Sequence, residues 1–342
     1  MDGCEIDVLV AGAGVIGLTT AICLAESGLC TGIRTAAPPE ATTSAVAGAV
    51  WGPVMAGPAG PCREWARTGL QALRELEKIP GTGVRSATGR ELSREPEVPP
   101  GWINLLDDVR LCHGDDLPPG FVSGWRYTAP LVRMPVYLEY LRTRFADAGG
   151  QIDVNPITSI TEVAREAPVV INCTGVAARH LVPDPAVRPV RGQIVVIANP
   201  GIEEFYIDHS PPAPGVIYLF PHEDAVVLGG TVGWDDGDTI ARPETAQRIL
   251  RDCAAVEPRV RSAEVLAHRV GLRPSRPEVR LEAEPVDGGG VLWHNYGHGG
   301  AGVTLSWGCA REITAAVLGA GPGSAGPRDA GPGRAGQDKH VG

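Results

Sequence analysis

Two arginines in a stiff segment are the residues best suited to bind a small anionic ligand. Arg273 and Arg276 each precede a proline in the run GLRPSRP, residues 271–277. Proline fixes its own φ and biases the preceding residue toward extended backbone, so both side chains project from a rigid support. A guanidinium held in this way can bind a carboxylate through two parallel hydrogen bonds. A structural ion pair with one of the 40 acidic residues is the alternative.

A tyrosine in a second run could assist the same chemistry. Tyr218 begins the run YLFP, and its phenol could donate a further hydrogen bond to a carboxylate. A buried aromatic pair with Phe220 is the alternative. We find no Ser-His-Asp or Cys-His spacing and no paired carboxylates in a motif suited to acid–base chemistry. These residues therefore favour binding and orientation of a carboxylate over nucleophilic attack.

A glycine-rich turn near the start has the spacing of a phosphate-binding loop. Gly12, Gly14 and Gly17 follow the apolar run 6–10 and precede a helix-like pattern that Gly28 is placed to end. Dinucleotides rest their pyrophosphate on such a strand, turn and helix. The three glycines allow, in order, the tight turn, the close approach of backbone to phosphate, and the packing of helix on strand. A glycine-rich turn without a ligand is the alternative.

The acidic residue that often follows this motif is missing. It normally lies about 20 positions further on and binds the ribose hydroxyls. Here no Asp or Glu lies between Ser27 and Pro39, and Arg34 and Thr35 occupy the expected end of the second strand. Arg34 could bind the 2′-phosphate of NADP, or a flavin dinucleotide could be held mostly by other segments. The motif alone leaves both open.

A second glycine loop precedes the last predicted helix, residues 303–318. The run HNYGHGGAGVTLSWG, residues 294–308, presents exposed amides of four glycines: Gly297, Gly299, Gly300 and Gly302. Aimed at a flavin, this helix N-terminus would stabilise negative charge at N1 and O2 of the ring, and the Thr304 hydroxyl could join it. The histidines of the run lack a nearby carboxylate or cysteine, so we expect no metal.

Small residues between these loops suit contact with a flat ligand. Residues 42–44 are a hydroxyl-rich loop, and residues 45–53 are small and apolar with Trp51 beside them. A core crossing packed with small side chains is the alternative for residues 45–53.

Composition predicts a soluble globular protein. The 342 residues are 43% hydrophobic and 20% charged, and the net charge of −10 without a basic block disfavours a nucleic-acid surface. No apolar run approaches the roughly 18 residues of a membrane span, and no secretory leader is expected. The eight scattered cysteines fit reduced core residues. We expect a cytoplasmic protein that binds a small molecule, with a homodimer as an option.

Hydrophobic periodicity predicts sheet-and-helix pieces at the start, middle and end of the chain. Strand-rich insertions separate them, so one cofactor domain is assembled from three stretches. Short strands and loops are expected over 81–119, and a buried parallel strand over 169–173. The predicted segments are helices over 64–77, 134–148 and 245–256, a short helix over 161–166, a strand-rich segment over 191–228, and a disordered tail from Gly319.

These segments together resemble the FAD-dependent D-amino acid oxidase family, whose D-aspartate oxidases share most of them. The resemblance covers nearly all of the chain to about residue 318, in the family's order. The matching runs are VLVAGAGVIGLTTA (8–21), TTSAVAGAVWGP (42–53), VVINCTG (169–175), RGQIVVI (191–197), VIYLFPHEDAVVLGGT (216–231), VGLRPSRPEVRLE (270–282) and HNYGHGGAGVTLSWGCA (294–310).

The resemblance implies an α/β fold with two domains and a tail. A discontinuous, Rossmann-like FAD-binding domain of the GR2 type would comprise residues 1–55, 148–190 and 286–318. A strand-rich α+β substrate domain would comprise residues 56–147 and 191–285, and residues 319–342 would form the disordered tail.

The resemblance also implies a reaction and a cofactor. An oxidoreductase of this family, a flavoprotein of D-amino acid catabolism, oxidises neutral D-amino acids to imino acids by hydride transfer to FAD. The imino acids hydrolyse to 2-oxo acids and ammonia, and O2 is reduced to hydrogen peroxide. In this chain Arg273 would pair with the substrate carboxylate, Tyr218 would assist, and the Gly300 carbonyl would meet the α-amino group.

Two further sets of residues follow from the resemblance. The substrate side chain would lie among Val50, Gly52, His209 and Phe220. The FAD would contact Gly12, Ala13, Gly14, Val15, Ile16, Gly17, Thr42, Thr43, Ser44, Gly48, Ala49, Val50, Ile157, Thr174, Gly175, Arg273, Gly299, Gly300, Ala301, Gly302, Val303 and Thr304.

The chain departs from the family pattern at two places. Ala36 and Ala37 stand where the family usually carries a charged residue, and residues 210–215 lack the lid tyrosine of vertebrate members. That lid region also lacks a cation for a second carboxylate, which disfavours D-aspartate. The alternatives are a flavin amine oxidase of the same fold acting on glycine, sarcosine, D-aspartate or a specialised amino acid, and a flavin- or NADP-binding protein without oxidase turnover.

Overall fold

The computed structural model describes residues 5–53, 59–208, 210, 216–287 and 289–319. The strands are β1 (Val8–Ala11), β2 (Thr31–Thr35), β3 (Val84–Ser93), β4 (Arg110–Leu111), β5 (Ser123–Val132), β6 (Gln151–Val154), β7 (Val169–Asn172), β8 (Arg188–Ala198), β9 (Phe205–Asp208), β10 (Ile217–Pro221), β11 (Ala225–Gly229), β12 (Gly233–Trp234), β13 (Val265–Val286) and β14 (Gly290–His298). The helices are α1 (Val15–Glu26), α2 (Ala59–Glu77), α3 (Met134–Asp147), α4 (Ile160–Val163), α5 (Ala178–Leu181), α6 (Pro243–Val256) and α7 (Gly302–Gly319).

The start of the chain forms the expected strand, turn and helix. Every residue of β1 is buried, as befits a strand with parallel neighbours on both sides. In α1, Leu18 and Ile22 are fully buried and face the core. Gly28, with φ of 95°, follows the end of the helix. The prediction for this segment is confirmed.

Five strands at one end of the sheet run parallel, in the order β14, β7, β1, β2 and β6. Val170 of β7 lies opposite Leu9 of β1, so the predicted return of residues 169–173 to a parallel sheet is confirmed. The carboxyl ends of these strands meet at one edge of the sheet. In open α/β sheets this edge is where ligands bind.

The long strand β13 joins this parallel block to the antiparallel part of the sheet. It pairs antiparallel with β14 on one side and with β8 on the other. Beyond β8 the order is β11, β10, β9, β3, β5 and β4. Arg273 lies on β13 opposite Val190, and Tyr218 lies on β10 opposite Gly229. Both candidate ligand-binding side chains therefore stand on regular strands.

The predicted helices over 64–77, 134–148, 245–256 and 303–318 correspond to α2, α3, α6 and α7. Two other predictions were wrong in extent. The strand β3 runs for ten residues within a region expected to hold short strands, because it pairs with both β5 and β9. The helix α4 covers four residues, fewer than the pattern over 161–166 suggested.

The largest apolar cluster packs α1, α2, α3 and α7 together with the parallel strands. Leu18, Leu73, Phe145 and Leu305 are fully buried within it. The predicted role of the cysteines as small core residues is confirmed for five buried free thiols: Cys62, Cys112, Cys173, Cys253 and Cys309.

The division into two domains stays a prediction, since one continuous sheet passes through both proposed parts. The predicted disordered tail lies outside the described residues, apart from Gly319, which ends α7. Among the helices of the described ranges, none combines the length and apolar character needed to span a bilayer.

Candidate active site

A cavity of about 690 Å³ follows the carboxyl edge of the parallel strands and continues to β10 and β13. It gathers most of the residues that the sequence predicts for the site. Those lining it are Gly12, Ala13, Gly14, Val15, Ile16, Thr42, Thr43, Ser44, Gly48, Ala49, Val50, Gly52, Ile157, Thr174, Gly175, Tyr218, Phe220, Arg273, Gly299, Gly300, Gly302, Val303 and Thr304. Gly17 and Ala301 do not line it, and His209 lies outside the described residues.

The first glycine turn has no room for a side chain at Gly12 or Gly17. A Cβ on Gly12, whose φ is 107°, would lie 2.6 Å from the Cys173 carbonyl oxygen. A Cβ on Gly17 would lie 1.8 Å from the Gly12 carbonyl oxygen, so this glycine allows α1 to pack on the turn. The amide of Val15 donates to Ser44 Oγ at 2.9 Å. The next amides of the first turn of α1 point toward the cavity end of the helix, where an anion is stabilised.

The hydroxyl-rich loop contributes differently from what the sequence suggests. Thr42 Oγ1 donates to the Pro39 carbonyl oxygen at 2.7 Å, and Thr43 Oγ1 donates to that of Leu272 at 3.3 Å. These hydroxyls stabilise the loop itself, because each lies beside a backbone acceptor. Ser44 Oγ accepts from Val15 and donates to no acceptor among the described residues, so its proton is available to a ligand. The threonines therefore line the cavity mainly through their backbone.

The second glycine loop forms the far wall of the cavity. Gly299 has φ of 54°, and the Ala301 amide donates to the His298 carbonyl oxygen at 2.9 Å. The prediction of an exposed amide is wrong for Gly299, because this amide donates to the Pro274 carbonyl oxygen at 2.8 Å. Because Leu305 is the first residue of α7 whose amide bonds back into this loop, the amides before it face the cavity end of the helix. Such an N-terminus stabilises negative charge on a ligand.

The predicted role of the Thr304 hydroxyl is wrong in this structure. Its Oγ1 donates to the Gly52 carbonyl oxygen at 3.0 Å and accepts from the Gly52 amide at 3.1 Å. Both hydrogen-bonding functions of the hydroxyl are thus used to attach α7 to the 45–53 segment. Thr304 can contribute its amide, and the hydroxyl positions the loop.

His298, Asn295 and Tyr296 also line the cavity, although sequence analysis did not assign them a role. Burial lowers the pKa of His298 to about 3, so its ring stays neutral. Its Nε2 lies 3.6 Å from the sulfur of Cys309. Within the described ranges, no group of three or more His, Cys, Asp and Glu side chains is arranged to hold a metal ion.

The structure separates the two arginines of the 271–277 segment. Arg276 Nε lies 3.1 Å from Asp184, so the ion-pair alternative is correct for this residue. Arg273 lines the cavity, and its Nη1 donates to the Thr231 carbonyl oxygen at 2.9 Å. Its guanidinium lies across Gly192, where a Cβ would stand 2.6 Å from Nη1. Among the described residues Arg273 has no carboxylate partner, which leaves its charge available to an anionic ligand.

Tyr218 lies beside Arg273 at this end of the cavity. Burial raises the pKa of the phenol, and the charge and hydrogen bonding of Arg273 act against that rise. The phenol therefore stays protonated and can donate a hydrogen bond at neutral pH. The Tyr218 ring also stacks on Phe220, with centroids 4.5 Å apart and planes inclined by 13°. Both interpretations of Tyr218, aromatic pairing and ligand binding, are compatible with this geometry.

Apolar side chains surround the Arg273–Tyr218 pair. Sequence analysis missed three of them: Ile194, Ile207 and Val216 line the cavity with Val50 and Phe220. Gly48 lies so close to Phe220 that a Cβ there would be 2.5 Å from Cδ2 of the ring. No Asp or Glu among the described residues lines the cavity.

Arg34 does not serve as a phosphate-binding residue in this structure. Its Nη1 lies 2.7 Å from Glu166 and its Nε lies 3.5 Å from Asp153, so its charge is already paired. Arg34 also does not line the cavity. The NADP interpretation therefore loses the residue on which it depended.

The cavity fits FAD better than a nicotinamide dinucleotide. It has a glycine turn with free helix amides for a pyrophosphate, and a second set of amides at α7 for the polar edge of a flavin. The small residues 46–49 line the wall between these two loops. A nicotinamide site requires no second helix N-terminus of this kind.

Comparison with known proteins agrees with this geometry. A family model described as FAD dependent oxidoreductase matches residues 7–316. A D-amino-acid oxidase of Rubrobacter xylanophilus is 49% identical over 91% of this chain and 95% of its own length. One from Streptomyces coelicolor is 44% identical over 90% of this chain and 95% of its own length. The crystal structure of glycine oxidase from Geobacillus kaustophilus superposes with a TM-score of 0.75 at 18% identity, over 91% of this chain and 94% of that one.

Proposed function

The chain belongs to the family of FAD-dependent oxidoreductases, and we propose that it oxidises neutral D-amino acids to imino acids. The relatives at 49% and 44% identity, both D-amino-acid oxidases, support this assignment over nearly their whole length. Hydrolysis of the imino acid in water yields the 2-oxo acid and ammonia.

The observation that carries the proposal is an arginine without a carboxylate partner among the described residues, beside a protonated phenol at one end of the cavity. Arg273 binds the substrate carboxylate, and Tyr218 donates a further hydrogen bond to it. The carbonyl of Gly300, an exposed residue of the second glycine loop, accepts from the α-amino group. With carboxylate and amine both fixed, only one enantiomer directs its α-hydrogen toward the cofactor.

FAD, when bound, accepts the electrons of the substrate Cα–H bond and passes them to O2, which becomes hydrogen peroxide. The glycine turn at Gly12 and Gly14, with Ser44, holds the pyrophosphate. The amides at the start of α7 would stabilise negative charge on the polar edge of the flavin ring. The protein orients the reactants and supplies electrostatic stabilisation, so the reaction needs no carboxylate general base, and none of the described residues lining the cavity is one.

The lining of the cavity favours neutral side chains on the substrate. Val50, Ile207, Val216 and Phe220 give this end an apolar surface, and Arg273 is its only arginine or lysine among the described residues. A second carboxylate, as in D-aspartate, would be desolvated there without a partner. Cytoplasmic location and a homodimer stay predictions from the sequence.

The proposal is tested by mixing the purified yellow protein with an amino acid in the absence of air. D-Alanine should bleach the visible flavin absorbance and L-alanine should not. D-Aspartate should react with a far lower kcat/KM than D-alanine. Persistent colour with every neutral D-amino acid would refute the proposed activity, and a preference for D-aspartate would refute the proposed substrate class.

A further inference from the structure

The end of the cavity near β2 lacks the side chain that normally recognises a ribose. In dinucleotide-binding folds this sugar lies at the carboxyl end of the second strand, where an acidic residue binds its hydroxyls. Here Thr35 ends β2, and Ala36, Ala37 and Ile157 continue the wall. None of these offers a free polar side chain, because Thr35 Oγ1 donates to the Ala37 carbonyl oxygen at 2.8 Å.

Hydroxyl groups elsewhere in the cavity are less suited to this role, because most already hydrogen-bond within the protein. Each threonine that lines the cavity donates its hydroxyl proton to an acceptor of the protein. These are Thr35, Thr42, Thr43, Thr174, Thr231 and Thr304. Ser44 retains its proton but lies at the first turn of α1, where the pyrophosphate is expected. A polar side chain without a partner among the described residues is therefore the better candidate for adenosine recognition.

His180 is the side chain in the right place. It lies on α5, which follows the carboxyl end of β7, the parallel neighbour of β1. Val182, two residues further on, packs on the same apolar cluster as Ile157, and Ile157 lines the cavity just after β6, the parallel neighbour of β2. His180 lines the cavity, is exposed, and makes no hydrogen bond or ion pair with the described residues.

We propose that His180 contacts the adenosine half of FAD and substitutes for the missing acidic residue. A ring nitrogen of imidazole can accept a hydrogen bond from a ribose hydroxyl, as a carboxylate would, and the ring can pack on a base. The inference concerns the cofactor and is independent of which amine the protein oxidises. The proposal assigns this contact to His180 and not to Arg34, because the charge of Arg34 is already paired with Asp153 and Glu166.

Binding of three ligands to the flavin-free, full-length protein tests the inference by calorimetry. FAD and ADP both carry the adenosine group, whereas FMN carries only the flavin half. His180→Ala should raise the Kd for FAD and for ADP by about 10-fold and leave the Kd for FMN within about twofold. His113→Ala is the matched control, since His113 is exposed and does not line the cavity.

The result depends on the difference between ligands, so a general folding defect cannot imitate it. Equal weakening of FAD, ADP and FMN would overturn the inference, as would unchanged binding of FAD and ADP. His180→Phe and His180→Asn extend the test, since one keeps an aromatic ring and the other keeps a hydrogen-bonding group. Retention of affinity by either variant supports a contact of that kind. Far-UV circular dichroism of each variant confirms that the fold is intact.

Discussion

Replacement of Arg273 by lysine tests the carboxylate site most directly. The Arg273 guanidinium is oriented before substrate binds, because Nη1 donates to Thr231 at 2.9 Å and the group lies across Gly192. Lysine keeps the charge and loses the planar pair of donors. If one of two charge-assisted hydrogen bonds is lost, at about 1.5–3 kcal/mol each, kcat/KM for D-alanine should fall by about 10- to 150-fold.

Anaerobic stopped-flow reduction measures this loss, and inhibition by propanoate separates binding from chemistry. Propanoate has the carboxylate of alanine and no amine, so its inhibition constant should rise in Arg273→Lys by a similar factor. The FAD content should not change. Arg276→Lys is the control, because Arg276 pairs with Asp184. In this variant kcat/KM for D-alanine and the inhibition constant for propanoate should both stay within about twofold of their original values. An unchanged inhibition constant for propanoate in Arg273→Lys would refute the assigned role.

Three further substitutions test other parts of the structure. Gly48→Ala places a methyl group 2.5 Å from a ring carbon of Phe220. This overpacking costs about 1–3 kcal/mol and should raise the KM for D-valine more than the KM for D-alanine. Equal increases of the two KM values would contradict this prediction. Gly17→Ala places a Cβ 1.8 Å from a backbone oxygen of the turn, so the purified protein should lose FAD absorbance, whereas Gly237→Ala, with no atom within 4 Å, should keep it. In His298→Gln, the free energy of unfolding should depend less on pH below neutrality. Because burial lowers the pKa of His298 to about 3, its neutral form stabilises the fold above the unfolded pKa of about 6.5, and this contribution is lost as the pH falls below that value. Denaturant unfolding at pH 7 and pH 5 measures the difference, and parallel profiles for the two proteins would contradict it.

Local sequence determined much of the cofactor site. The glycine spacing at residues 12–17 and 297–302 constrains the backbone directly, because only glycine tolerates the φ of 107° at Gly12 beside a neighbouring carbonyl group. Apolar periodicity likewise indicated α2, α3 and α6, since each covers a core with one face. The helix α7 was also indicated, although its residues 303–310 are buried on every side.

Local sequence could not predict how hydroxyl groups are used. Thr42, Thr43 and Thr304 stand in loops that line the cavity, yet each hydroxyl bonds to protein backbone. Two of these acceptors, Leu272 and Gly52, lie 229 and 252 residues away in the chain. A side chain pairs with the nearest suitable acceptor in space, and a motif does not contain that information.

For the two arginines of the 271–277 segment, local sequence determined the backbone support and tertiary structure determined the partner of each charge. Sequence alone placed both on an extended and rigid segment that could hold a guanidinium for a carboxylate. Tertiary structure then decided between them: Arg276 meets Asp184 from the β7–β8 connection, while Arg273 faces a cavity without acidic side chains among the described residues. Proline and glycine act on φ within a residue or two, so sequence determines such supports. The partner of a charge depends on which distant strands pack beside it, and only the folded sheet determines that.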